Sequence, residues 1–254
     1  MNCFFETSLA DKYKSLSQKI RVMTESWVSS NIFCPVCGND SLQKQPNNSP
    51  VSDFRCPFCH NEYELKSSKT IGKRIADGSY ETFIQRITSN TNPDFLFLQY
   101  DPSEMKVGNL WFVPKFFFTP SIIEKRPPLK STSKRAGWVG CNIMLGEIPN
   151  QGRISIVQDS SPVNKTAVLN QVLKAKSLFN KDIDSRTWMF DVLKCINNIG
   201  KIEFSLSNVY EYENLLKEKY PENHNIRAKI RQQLQKLRDR NVIAFLGNGH
   251  YRLV

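Results

Sequence analysis

The residues best suited to chemistry in this chain are two pairs of cysteines, Cys34-Pro-Val-Cys37 and Cys56-Pro-Phe-Cys59. Two residues between thiolates let both sulfurs of a knuckle reach one tetrahedral ion, and two knuckles complete a closed four-sulfur site for Zn2+. Gly38, directly after the second cysteine, suits the tight turn of the first knuckle. Thiol–disulfide exchange needs one such pair, not two. A closed site has no open position for a reacting water, so the expected zinc on Cys34, Cys37, Cys56 and Cys59 is structural, contributing on the order of 10 kcal/mol to the folded knuckle.

Around the second pair stand residues of another kind. Asp53 precedes Cys56, and Glu64 and Lys66 follow Cys59. Alternate side chains of an extended run share a face, which groups Glu62, Glu64 and Lys66 against Tyr63 and Leu65. If residues 52–55 pair with 62–67 as a hairpin tipped by the knuckle, Asp53 lies beside Glu64 and the zinc braces both strands. Two carboxylates offer hard oxygen ligands to Mg2+, and the Leu65 carbonyl offers another. Lys66 adds positive charge near a phosphate and can orient or help deprotonate an attacking water. The chemistry expected of Asp53, Glu64 and Lys66 is metal-assisted phosphodiester hydrolysis. The competing reading is an ordinary solvated strand face; Glu62 is read as such a solvated neighbour, with a role as a metal ligand left open.

The balance of charge points the same way. Lys and Arg number 35 against 24 Asp and Glu, a net charge of +11. Such a chain is drawn to polyanions, because each neutralised phosphate releases counterions. No stretch is long and apolar enough to span a bilayer. Residues 1–10 carry Glu6 and no basic cluster before an apolar run, so they do not read as a signal peptide. Seven cysteines, an odd number, argue against a secreted disulfide framework. The expected setting is the cytoplasm.

The elements that must position these residues follow from periodicity. Leu9, Tyr13, Leu16, Ile20, Met23 and Trp27 stripe an opening helical segment, and Tyr80, Phe83, Ile84 and Ile87 a second. Residues 46–50 are a polar, Pro-rich loop. Residues 95–100, 110–113 and 153–158 read as strands, giving a mixed α/β unit to about residue 160. A connector to 184 holds one helix, near 168–179. Beyond it, Trp188, Val192, Leu193 and Ile196 mark a helix. Leu206, Val209, Tyr210, Leu215 and Leu216 mark another, with Ser205 or Ser207 as its N-cap. Ile226, Ile230, Leu234 and Leu237 mark a third. Residues 242–246 and 250–253, around Gly247-Asn248-Gly249, read as a β-hairpin. Three helices and a hairpin are the order of a winged helix.

The third of these helices carries the expected DNA contacts. Arg227, Arg231, Gln232 and Gln235 are of the types that bond guanine and adenine edges in the major groove, and Lys229 and Lys236 suit phosphates. In the first unit, Lys134 and Arg135 suit phosphates too. Trp138, between Gly137 and Val139-Gly140, is either an aromatic displayed on a loop to wedge at a base step or a core residue.

Asp53 followed by Glu64-Leu65-Lys66 resembles the D…E-x-K signature of the PD-(D/E)XK nucleases, with Ser52 where that pattern often carries proline. A closer likeness is to the DpnI-type methyl-directed restriction endonucleases. It lies in Thr24-Glu25, Trp27-Val28, both cysteine pairs, Val51, Asp53-Phe54, Glu64-Leu65-Lys66-Ser67, Arg135-Ala136-Gly137-Trp138, Gly140-Cys141-Asn142-Ile143 and Lys229-Ile230-Arg231-Gln232-Gln233-Leu234. The resemblance thus runs from the first helix to the last. It implies an α/β fold with a mixed-sheet PD-(D/E)XK core and zinc knuckle over residues 1–182, plus a small α+β winged-helix domain over 183–254. It also implies a type II enzyme that cuts double-stranded DNA at GATC when the adenine is N6-methylated, with a winged helix that reads methylated DNA as well. Methyl dependence enters through the resemblance alone. The rival from another class is a zinc-containing winged-helix transcriptional regulator, which would have no need of Asp53, Glu64 and Lys66. The chain is expected to be a monomer.

Overall fold

A computed structural model describes residues 1–46 and 52–254, so most of the Pro-rich loop expected at 46–50, and Val51, lie outside the described residues. A 3-10 turn, Thr7–Ala10, precedes α1 (Leu16–Asn31). The opening stripe is therefore split: Ile20, Met23 and Trp27 are buried, whereas Leu16 starts the helix and is exposed. Trp27 pins the N-terminus by donating from Nε1 to the Asn2 carbonyl at 2.7 Å.

After α1 come the first cysteine pair, β1 (Gln43–Lys44), β2 (Phe54–Arg55), the second pair and β3 (Glu62–Ser68). Then follow β4 (Ile75–Ser79), α2 (Tyr80–Thr88), β5 (Asp94–Asp101), β6 (Lys106–Val113), β7 (Ile123–Lys125), β8 (Gly140–Ile143), β9 (Ile154–Gln158), β10 (Ser161–Pro162) and α3 (Lys165–Lys176). The main sheet has the order β1-β2-β3-β5-β6-β9-β10. Within it β3 and β5 are parallel and the other pairs antiparallel. A parallel pair requires a crossover, and β4 and α2 supply it. β4 itself joins a second, three-stranded sheet, β4-β8-β7.

The core follows from β5. Phe95, Leu96, Phe97 and Leu98 are successive and all buried, which a strand shows when both its faces are covered. Phe83 of α2 sits edge-on to Phe95 at 6.0 Å, and Phe118 lies 4.7 Å from the same ring. That aromatic layer fixes α2 over the face of the sheet shared by Glu64 and Lys66, because Glu64 pairs with Phe95 and Lys66 with Phe97.

The C-terminal unit contains α4 (Ile183–Ile199), β11 (Glu203–Ser205), α5 (Leu206–Tyr210), α6 (Glu213–Lys219), α7 (Ile226–Asp239), β12 (Ile243–Gly247) and β13 (His250–Leu253). Where three helices were expected there are four, because the middle run breaks between Tyr210 and Glu213. Of the two candidate caps, Ser205 is used: its Oγ accepts from Asn208 N at 3.2 Å and its N–H donates to Asn208 Oδ1 at 3.0 Å. The hairpin turns through Gly247, Asn248 and Gly249, all at positive φ. β11 adds an unexpected third strand, in the order β11-β13-β12. The α7 stripe of Ile226, Ile230, Leu234 and Leu237 is buried against the unit. Among the described residues no helix is long and apolar enough to cross a membrane.

Candidate active site and metal centre

The four cysteines converge. Their Sγ atoms all lie within 4.8 Å of one another, with Cys34–Cys59 and Cys37–Cys56 each at 3.6 Å. A tetrahedral ion with Zn–S bonds of about 2.3 Å holds its sulfurs about 3.8 Å apart, so the spacing fits a shared zinc and not a disulfide. Each pair closes a turn: Gly38 N donates to Cys34 O at 2.8 Å, and His60 N to Cys56 O at 3.0 Å. Both turns need a left-handed residue. Gly38 (φ 80°) provides it in the first knuckle and His60 (φ 59°) in the second. Tyr63, fully buried on β3, brings its hydroxyl within 2.9 Å of Cys34 Sγ. The metal centre therefore ties the end of α1 to the β2–β3 hairpin.

That hairpin is short. Phe54 pairs with Tyr63 and Arg55 with Glu62, so along the same ladder Asp53 comes opposite Glu64. Asp53 N donates to the Tyr63 carbonyl at 2.9 Å, and Asp53 Oδ2 accepts from Leu65 N at 2.7 Å. The carboxylate thus completes the edge of β3 where β2 has ended. In a strand a residue's N–H and C=O leave on the same side, so the Leu65 carbonyl leaves β3 on the side where Asp53 accepts from its N–H. Lys66 Nζ lies 2.5 Å from Glu64 Oε1 and 2.8 Å from Asp77 Oδ1.

Asp77 was not among the residues singled out from the sequence. Ile-Ala-Asp-Gly-Ser has no apolar alternation to mark it as a strand, yet it forms β4. The side chain of Asp77 is only 7% exposed, against 22% for Glu64 and 21% for Lys66.

Burial pushes the Asp53 carboxyl above the usual carboxylate range, with the Leu65 N–H offsetting part of the rise. Burial does the same to Glu64, offset in part by Lys66. Burial works against the Lys66 ammonium, but Glu64 and Asp77 together hold its pKa above the ordinary lysine value. Glu25, buried on α1 between Arg21 (2.6 Å) and Lys44 (2.8 Å), adds negative charge near Asp53. Glu64 and Asp77 thus share one ammonium, and Asp53, bonded to Leu65 N, adds a third carboxylate beside them. Hard oxygens in charge excess fit a divalent cation of the Mg2+ type. They are not drawn into a finished shell: among the described residues, the four cysteines alone form a group of three or more such ligands close enough to share an ion as they stand.

Trp138 is neither free on its loop nor in the core. It is half-buried. Arg135 lies over its ring at 4.6 Å, and the ring packs on Gly140 so closely that a Cβ there would come within 2.9 Å. Lys134 is exposed. On α7, Gln232 and Gln235 face solvent. Arg227 pairs with Glu213 at 2.6 Å and lies over Tyr210, whose hydroxyl accepts from Arg231 at 2.7 Å. Lys229 sits over Trp188, and Lys236 donates to Ser185 Oγ at 2.6 Å, so both lean on α4. The arginines and lysines thereby flank the outward glutamines on opposite sides. The third glutamine of the run, Gln233, is buried.

Metal analysis of purified protein should find one zinc per chain, and Cys37→Ser should lose it together with the cooperative unfolding of the N-terminal unit. Asp53→Asn should raise the melting temperature at neutral pH. The sign follows from the raised pKa: the protonated carboxyl is favoured in the fold, so its contribution is present below the unfolded pKa and lost as pH rises through the folded one. At neutral pH the buried charge opposes folding, whereas Asn keeps an acceptor for Leu65 N–H without it. The difference from native protein should shrink as pH falls, measured by thermal melts across a pH series. A lower melting temperature for Asp53→Asn at neutral pH would contradict this.

A seven-stranded mixed sheet with a zinc knuckle and buried acidic residues, followed by a helical unit with a wing, is matched along the chain by a known family. Residues 1–181 match DpnI, the Dam-replacing family, and residues 184–253 match DpnI_C, the Dam-replacing HTH domain. The chain belongs to the Dam-replacing family of DpnI-type restriction endonucleases, DNA-binding nucleases with a C-terminal helix-turn-helix domain.

Proposed function

We propose that this chain is a methyl-directed type II restriction endonuclease, cleaving double-stranded DNA at GATC that contains N6-methyladenine by Mg2+-dependent phosphodiester hydrolysis. The observation that carries the hydrolytic part is that Asp53 comes opposite Glu64 along the hairpin and bonds Leu65 N, with Lys66 paired to Glu64. The sequence and its methylation follow from the likeness to DpnI-type enzymes.

Asp53 and Glu64 are the residues that would hold Mg2+, with the Leu65 carbonyl beside them. When bound, the ion supplies Lewis-acid stabilisation of charge on the phosphate and makes water a better nucleophile. Lys66 presents its ammonium where negative charge grows on the phosphate and orients the attacking water. Residues 1–182 form the cutting unit, in which Lys134 and Arg135 meet phosphates and Trp138 packs at a base step. Residues 183–254 form the reading unit. There Gln232 and Gln235 reach base edges. Arg227 and Arg231 on one flank, and Lys229 and Lys236 on the other, follow the backbones. The protein acts as a monomer in this reading. A zinc-containing regulator would not need the buried acidic residues around Lys66, which oppose folding without serving DNA binding.

The test is a gel assay with Mg2+ on one plasmid prepared with and without adenine methylation at GATC, with Lys66→Ala alongside. The expected result is cutting of methylated DNA alone, slowed about 10²–10⁴-fold in the variant. Cutting of both plasmids would keep the nuclease and remove methyl dependence. Binding without cutting of either would favour the regulator.

A further inference from the structure

We propose that Asp77 is a positioning residue of the nuclease site, holding the Lys66 ammonium in place from the second sheet when Glu64 is engaged elsewhere. The proposal rests on the reading of Asp53, Glu64 and Lys66 given above. It comes from a juxtaposition that chain order hides. Lys66 is gripped by Glu64, its neighbour on β3, and by Asp77, which belongs to β4 and the β4-β8-β7 sheet. In the ligand set proposed above, Glu64 gives its carboxylate to the cation. Lys66 then loses one of its two anionic partners, and Asp77 is the one that remains.

The backbone is shaped for this. The pairing of β4 with β8 shifts between Asp77 and Ser79: Asp77 pairs with Cys141 and Ser79 with Gly140, leaving Gly78 as the extra residue. A bulge re-aims the side chain next to it. Gly78 N donates to Asp77 Oδ1 at 2.6 Å, fixing the carboxylate whose same oxygen receives Lys66. The other oxygen, Oδ2, is buried and makes no hydrogen bond to any described residue. A buried acceptor left unused costs stability, so a carboxylate here is a poor choice for structure alone. The strand opposite, β8, begins at Gly140, against which Trp138 packs. The partner of Lys66 is therefore mounted on the sheet that carries the loop with Lys134, Arg135 and Trp138.

The experiment is a double-mutant cycle in single-turnover cleavage of the methylated plasmid at saturating Mg2+, using native protein, Asp77→Asn, Lys66→Ala and the double variant, with Asp77→Glu as the conservative control. Asp77→Asn should slow cleavage about 10–100-fold, the usual effect of removing a group that orients a site residue. DNA affinity should be unchanged, Asp77→Glu should recover part of the rate, and Asp77→Asn should add no further loss to Lys66→Ala. Acylation of Lys66 by an amine reagent, followed by mass spectrometry, should be faster in Asp77→Asn, and this readout does not require cleavage. A native rate in Asp77→Asn, or losses that multiply in the double variant, would overturn the proposal. So would a defect of Asp77→Asn that disappears when Mg2+ is raised above the level that saturates native protein, which would make Asp77 a metal ligand. If native protein does not cleave at all, the nuclease reading falls, and the acylation result alone decides whether Asp77 holds Lys66.

Discussion

The closure of four thiolates around one position is the constraint from which the site follows. β2 is two residues long, too short to hold a strand edge by its own ladder. What keeps it against β3 is the second cysteine pair at its tip, joined through the sulfurs of the first pair to the end of α1. The Tyr63 hydroxyl at Cys34 ties β3 to the same centre. With the hairpin clamped from its tip, Asp53 has nowhere to go but opposite Glu64, and its carboxylate caps the Leu65 N–H that β2 leaves unpaired. Binding free energy at such a centre is folding free energy. It offsets the cost of gathering carboxylates that burial disfavours as anions.

That cost marks the place where local stability gives way to function. Asp53 and Glu64 are both pushed towards protonation by burial, and Lys66 is held charged only by its acidic neighbours. A chain selected for stability alone would fill this face with apolar side chains, as it does one strand over with Phe95 and Phe97. The contrast between adjacent strands of one sheet, aromatic on β5 and ionic on β3, is what makes the site recognisable. In the C-terminal unit the same separation appears on one helix. Ile226, Ile230, Leu234 and Leu237 bury one side of α7, while Gln232 and Gln235 face out between an arginine flank and a lysine flank.

Much of this was legible in the sequence because it depends on short spacings. The two C-x-x-C pairs, the alternation Glu64-Leu65-Lys66 and the stripe on α7 are local patterns with local causes. The parts that were not legible depend on pairing between distant segments. β4 and β8 have little apolar periodicity of their own and become strands by pairing in a sheet completed by β7, so nothing local marked Asp77. The break between α5 and α6 falls in the five-residue step from Tyr210 to Leu215, which the sequence reading runs through as one helix. Trp138 was open between loop and core, and its half-buried place between Arg135 and Gly140 is set by a strand that the sequence does not announce.

The central claim is that the zinc-clamped hairpin presents Asp53 and Glu64 to a second, catalytic cation. An anomalous difference map from crystals of the native protein soaked in Mn2+ tests it most directly. The account predicts one peak among Cys34, Cys37, Cys56 and Cys59 and a second within bonding distance of both the Asp53 and Glu64 carboxylates, with Lys66 no longer paired to Glu64. A peak at the cysteines with none at the carboxylates, and Lys66 still bound to Glu64, would contradict it.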